Sequence, residues 1–166
     1  NVKKMVPAYT LPNAVRFNAA IAEGGRMQLS PSTATHEDVA FLQYTGGTTG
    51  VSKGATLVHR NVIANVLQSE AWMQPAMHNP RKPPPPEQAV IACALPLYHI
   101  FSLTVCYLLG LRVGGLNVLI PNPRDLPAVT EALKPFKVTL FPAVNTLYNV
   151  LADHEGFRKL DFTELR

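Results

Sequence analysis

Residues Tyr44 to Ala55 read Tyr-Thr-Gly-Gly-Thr-Thr-Gly-Val-Ser-Lys-Gly-Ala, and no other stretch constrains the chain as strongly. They hold four of the ten glycines, three threonines, one serine and a single cation, Lys53. Val39 to Tyr44 is an apolar, β-prone run that reads as a buried strand, and Ala55 to Val58 reads as a second strand. A glycine-rich loop between two strands can turn its backbone N–H groups inward, because glycine tolerates positive φ and has no Cβ to block close approach. Successive inward N–H groups make an anion nest. Hydroxyls add adjustable donors, and a lysine ammonium adds a point charge suited to phosphate. The stretch is predicted to hold a polyphosphate.

Two better-known phosphate loops are excluded by spacing. The Walker pattern places Gly-Lys-Ser/Thr at the start of a helix. Here Lys53 follows Ser52, precedes Gly54, and leads into a strand. The Gly-x-Gly-x-x-Gly pattern of dinucleotide sites is also missing. A plain solvated hairpin is the bland alternative, but such a turn needs only about two to five loop residues.

Around this loop the chain alternates strands with helices. Asn13 is expected to cap a helix from Ala14 to about Glu23, stopped by Gly24-Gly25. Apolar residues recur at near-helical spacing from Val62 to Met73, which predicts an amphipathic helix over 61–76. Pro75, Pro80 and the run Pro83 to Pro86 mark a polyproline connection over 75–88. Ala89 to Leu95 reads as a strand, and Ile100 to Val113 as a helix apolar on every side and so buried all round. Strands at Leu116 to Ile120 and Val138 to Phe141 follow, with helices after Asp125 and over 143–153. This is an α/β pattern of βαβ units with a largely parallel sheet flanked by helices. Its expected parts are a lead-in over 1–38, a phosphate-loop unit over 39–60, the connection over 75–88 and βαβ units over 89–155. Ligands gather beyond the C-terminal ends of such strands, which puts the loop and His99 on one rim.

Composition bounds the rest. The chain has 166 residues, 47% hydrophobic, with a net charge of +4 and pI near 9.2. Its 15 basic residues are scattered with no run longer than a pair, which argues against nucleic acid as a partner. Cys93 and Cys106 both lie in apolar runs and are expected to be buried thiols in a reducing compartment. With no signal peptide at its start and no apolar run of about 20 residues, the chain is expected to be cytoplasmic.

The loop from Tyr44 to Ala55 resembles the phosphate-binding signature of the adenylate-forming ligases, the acyl-CoA synthetase and luciferase superfamily. Leu57-Val58-His59-Arg60-Asn61 and Leu95-Pro96-Leu97-Tyr98-His99-Ile100-Phe101 are similar to that superfamily too. Asn122-Pro123-Arg124-Asp125 and Val144-Asn145-Thr146-Leu147-Tyr148 resemble its bacterial long-chain fatty acyl-CoA ligases. Most members carry proline where Ser52 stands.

The resemblance implies two-step chemistry: a fatty carboxylate attacks ATP to give an acyl-adenylate and pyrophosphate, and coenzyme A thiol then displaces AMP. It implies that Thr45, Thr48 and Thr49, with the amides of Gly46, Gly47 and Gly50, hold the β- and γ-phosphates beside Lys53. Thr45 becomes a candidate neighbour of a Mg2+ ion. His99 is implied beside the substrate carboxylate, with Phe101, Leu103 and Val105 lining the acyl pocket. The family is larger, so the chain is expected to be part of an N-terminal domain, inactive alone. Its adenine and ribose motifs and the lysine of its C-terminal domain are not matched here. The resemblance leaves open peripheral association with the inner membrane and a homodimer. The alternatives are a stand-alone nucleotide- or anion-binding module, another acid–thiol ligase, or a proline-rich interaction protein.

Overall fold

The computed structural model describes residues 10–45 and 53–166. The chain divides into two compact units, Asn1–Ala34 and Thr35–Arg166. The first contains α1 (Phe17–Gly24), none of whose residues is buried. The expected start at Asn13 is displaced, because Pro12 and Asn13 occupy a turn closed by the Ala14 N–H donating to the Leu11 carbonyl at 3.1 Å. Arg16 takes the cap position instead.

The second unit opens with a hairpin, β1 (Val39–Thr45) antiparallel to β2 (Lys53–Val58). The expectation of a largely parallel sheet is corrected here: seven residues separate these strands, enough for a loop but too few for a crossover helix. α2 (His59–Met77) follows without a break, and the Asn61 Oδ1 atom caps it by accepting from the Val58 N–H at 3.1 Å.

β3 (Val90–Cys93) and β4 (Leu116–Leu119) form the parallel pair. A helical rod joins them: a π-helical segment, Ser102–Leu108, runs directly into α3 (Leu109–Arg112). Gly114, at φ 66°, ends the rod in the left-handed region that a side chain resists. On the other side of β3, Leu140 makes a single parallel bridge to Ile91. The expected strand over Val138 to Phe141 is shortened to this bridge. The Thr139 hydroxyl takes the Val90 N–H at 3.1 Å in place of a ladder carbonyl, and Pro142 follows closely.

Alternation along β3 separates two cores. Ala92 and Ala94 face α4 (Leu126–Leu133) and α5 (Asn145–Asp153), packing among Val129, Leu133, Leu147 and Leu151. Ile91 and Cys93 face the rod and meet Cys106. Helices thus cover both faces of a short parallel sheet. The Asp125 carboxylate caps α4 by accepting from the Ala128 N–H at 3.1 Å, with Pro127 in the first turn where a missing N–H does no harm. A final turn, α6 (Glu155–Arg158), packs behind α4 and α5.

The rod is not buried all round, which corrects the sequence expectation. Ser102, Cys106 and Leu109 are fully buried, whereas Phe101 is 41% and Leu111 58% exposed elsewhere around the rod. An unbroken apolar composition covers both faces equally and cannot reveal which one is packed. The connection expected over 75–88 starts later than its prolines suggest, because Pro75 is accommodated inside α2. Further along, buried Arg166 donates through Nη2 to the carbonyls of Pro83 (2.8 Å) and Pro84 (3.1 Å).

Candidate functional site

The β1–β2 register pairs Gln43 with Ala55, Tyr44 with Gly54 and Thr45 with Lys53. Lys53 and Thr45 therefore form the mouth from which the glycine-rich loop springs. A Cβ at Gly54 would stand 3.2 Å from the Tyr44 ring, so the missing side chain lets that ring lie across the hairpin. The remaining expected phosphate ligands (Gly46, Gly47, Thr48, Thr49, Gly50, Val51 and Ser52) lie outside the described residues, as does the side chain of Thr45.

His99 stands in the turn after β3, exposed, at the start of the rod. Its backbone N–H donates to Pro96 at 2.9 Å, and its Nδ1 accepts the Phe101 N–H at 3.2 Å. An Nδ1 that accepts carries no proton, so in the neutral ring the proton sits on Nε2, available to donate to an incoming group. The turn is pinned from both sides. The buried Ser102 hydroxyl donates to the Leu95 carbonyl at 3.1 Å, and Gln43 Nε2 reaches from β1 to the Tyr98 carbonyl at 2.8 Å.

Beyond His99 the rod and α2 enclose a groove of about 380 Å³ lined by Leu57, Asn61, Val62, Asn65, Ile100, Phe101, Thr104 and Val105. A second groove of about 430 Å³ continues past Phe101 and Val105 to Trp72, Met73 and Leu109, with Gln68 and Ser69 as its polar lining. Phe101 and Val105 thus line both. Leu103 lines neither, because two residues along a helical rod turn the side chain roughly half a revolution away. The π-helical winding here accompanies a hydroxyl bond: Thr104 Oγ1 donates at 2.9 Å to the Ile100 carbonyl, an acceptor that an α-helical ladder would use. A third cavity, about 450 Å³, lies beyond the C-terminal ends of β3 and β4 between Leu95 to Tyr98 and Ile120 to Pro123. Sequence reasoning passed over Gln43, Ser102, Thr104 and the α2 wall. The available signal was the interruption of apolar runs by single polar residues.

Both thiols are buried and unpaired, and Cys93 Sγ sits 3.3 Å from Ser102 Oγ. Burial, then the adjacent Cys93, pushes the Cys106 thiol up to about 12. A folded-state pKa raised above the unfolded 9.0 means that unfolding releases this proton; stability is complete below pH 9 and declines as pH rises toward 12. In the folded chain at pH 8 we expect neither cysteine to react promptly with dithiobis(nitrobenzoate), and both to react once urea unfolds it. Prompt labelling of either thiol in the folded chain would contradict this packing.

Among the described residues, no three His, Cys, Asp or Glu side chains converge as a metal-binding group. No helix among them is long and apolar enough to cross a membrane.

The geometry is a hairpin carrying a glycine-rich loop, a histidine turn tied to it, and an apolar groove leading away. The sequence profile of the AMP-binding enzymes matches residues 3–166. The chain belongs to the AMP-binding enzyme family. It is 46% identical over 164 residues to the long-chain-fatty-acid–CoA ligase of Salmonella typhimurium, covering 99% of this chain and 28% of that protein. The Haemophilus influenzae ligase of the same description is 44% identical over 165 residues, with the same coverage. Among solved structures, ATP-bound MatB from Rhodopseudomonas palustris superposes with a TM-score of 0.65 at 27% identity, over 83% of this chain and 25% of MatB. This AMP-binding chain therefore spans a little over a quarter of the length of the curated relatives it matches. Its mixed α/β fold, with a small parallel pair rather than a large sheet, is that of the adenylate-forming N-terminal domain.

Proposed function

We propose that the protein to which this chain belongs is an ATP-dependent long-chain fatty acid–CoA ligase, and that these residues bring ATP phosphates and acyl chain together. The observation that carries the reading is the first groove. Its walls come from β2, from α2 and from the rod after His99, so one apolar cavity starts at the hairpin bearing the loop. A bare phosphate-binding module has no use for that cavity.

In the first step a carboxylate oxygen of the fatty acid attacks the α-phosphorus of ATP. The new O–P bond forms as the bond to the β-phosphate oxygen breaks, leaving acyl-adenylate and pyrophosphate. In the second, the thiol sulfur of coenzyme A attacks the acyl carbonyl, its proton is lost, and AMP departs with the former carboxylate oxygen. Such displacements depend mainly on positioning and on charge stabilisation. The Lys53 ammonium and the loop amides would hold the outer phosphates. The His99 Nε2–H would donate to the carboxylate, and Phe101 and Val105 would shield the tail from water. Leu103, turned from both grooves, is not assigned to this wall.

Mg2+ would accompany the nucleotide in this proposal, with the Thr45 hydroxyl as a candidate ligand, and would offset charge on the phosphates. The enzyme would act at the cytoplasmic face of the inner membrane, where a sparingly soluble acid is delivered, and would form a homodimer. Exposed apolar side chains on α2, with Trp72 87% exposed, support association of that kind.

The test is exchange of labelled pyrophosphate into ATP by the full-length enzyme with a series of fatty acids. Exchange that requires a long-chain acid is the expected result. Exchange with aromatic or short acids only would reassign the substrate, and none with any acid would overturn the ligase reading.

A further inference from the structure

We propose that Gln43 is a positioning residue, whose amide sets the distance between the phosphate-bearing hairpin and the His99 turn. The proposal rests on the ligase reading above and adds a residue which that reading does not use.

The hairpin and the β3–β4 pair are separate sheets with no ladder between them. Among the described residues, the bond from Gln43 Nε2 to the Tyr98 carbonyl is the one hydrogen bond joining β1 or β2 to anything from Val90 onward. At 2.8 Å it is short for an amide donor. Its ends lie close to the chemistry. Gln43 stands two residues before Thr45 at the hairpin mouth, and Tyr98 directly precedes His99. The same amide lies 3.5 Å from the Tyr44 carbonyl, so Tyr98 is much the better acceptor.

The reaction brings a carboxylate held at the His99 turn onto an α-phosphorus held from the hairpin. Such displacements are intolerant of misplacement by even an ångström. Both elements pack against α2, and the Gln43–Tyr98 bond ties them directly to each other as well. Its effect should therefore fall on turnover more than on nucleotide affinity.

The experiment uses the full-length enzyme carrying Gln43→Met, which keeps length and bulk without a donor, and Gln43→Glu, which keeps shape but faces the Tyr98 carbonyl with a second acceptor. We expect pyrophosphate exchange with palmitate to lose about tenfold in kcat in both, as loss of one well-formed hydrogen bond to a positioned group allows. ATP affinity by direct titration and the thermal midpoint should stay at wild-type values. Gln43→Met should add little to His99→Ala, because the two act through one turn. Wild-type kcat in both variants overturns the proposal while leaving the ligase reading intact. So does a loss of activity matched by a lowered thermal midpoint, or full additivity with His99→Ala. Absence of exchange from the wild-type enzyme with every acid overturns both.

Discussion

Lys53→Ala in the full-length enzyme should lower palmitate-dependent pyrophosphate exchange by about 100-fold, the loss typical when one preorganised charge or donor is removed from a developing anion. Lys53 is the only cation between Tyr44 and Ala55, and the register sets it opposite Thr45 at the hairpin mouth. Pyrophosphate leaves the α-phosphorus with added negative charge, and backbone amides alone neutralise little of it. The ammonium should therefore matter more in the transition state than in the ATP complex, and kcat should fall further than ATP affinity. Lys53→Arg should retain part of the activity, because its charge is kept but spread over a planar fork. Lys53 is exposed, so the thermal midpoint should not move in either variant. Exchange at the wild-type rate in Lys53→Ala would mean that this cation does not serve the phosphates.

What could be read in the chain, and what could not, divides by the range of the interaction responsible. The positions of the hairpin strands, the start of α2 and the Asp125 cap are local: each follows from residues within one turn of it. The burial expected of β1 is not local and does not hold, since Val39, Leu42 and Tyr44 are exposed. The family, too, was legible, because its signatures are contiguous stretches. Tertiary partners were not. Nothing near Gln43 marks Tyr98 as its acceptor, 55 residues away. Ser102 and Thr104 sit in a run otherwise apolar, and only packing shows that Ser102 binds the Leu95 carbonyl and Thr104 that of Ile100. The resemblance puts Leu103 on the acyl wall with Phe101 and Val105. A contiguous motif does not carry the winding of the rod, and the two grooves are lined by Phe101 and Val105 but not by Leu103. The shortening of the strand to one bridge at Leu140 was illegible for a similar reason, since the Thr139 hydroxyl takes the Val90 N–H that a longer ladder would use.

The same distinction predicts stability along α5, where two adjacent aliphatic residues should behave in opposite ways. Leu151 is 0% exposed in the core on the α4–α5 side of β3, and Val150, one position earlier, is 47% exposed. Leu151→Ala leaves a hole among rigid neighbours, including Val129 and Leu133, that cannot collapse into it. It should destabilise the chain by about 3 kcal/mol, lowering the urea midpoint by roughly 1.5 M. Val150→Ala should change stability by no more than about 0.5 kcal/mol, as for an ordinary surface position. The pair separates burial from helix propensity, since both substitutions introduce the best helix former at neighbouring sites. Equal midpoints for the two variants would mean that α5 does not dock on β3 through Leu151. The consequence would reach the site, because α5 supports the face of β3 whose end carries the His99 turn.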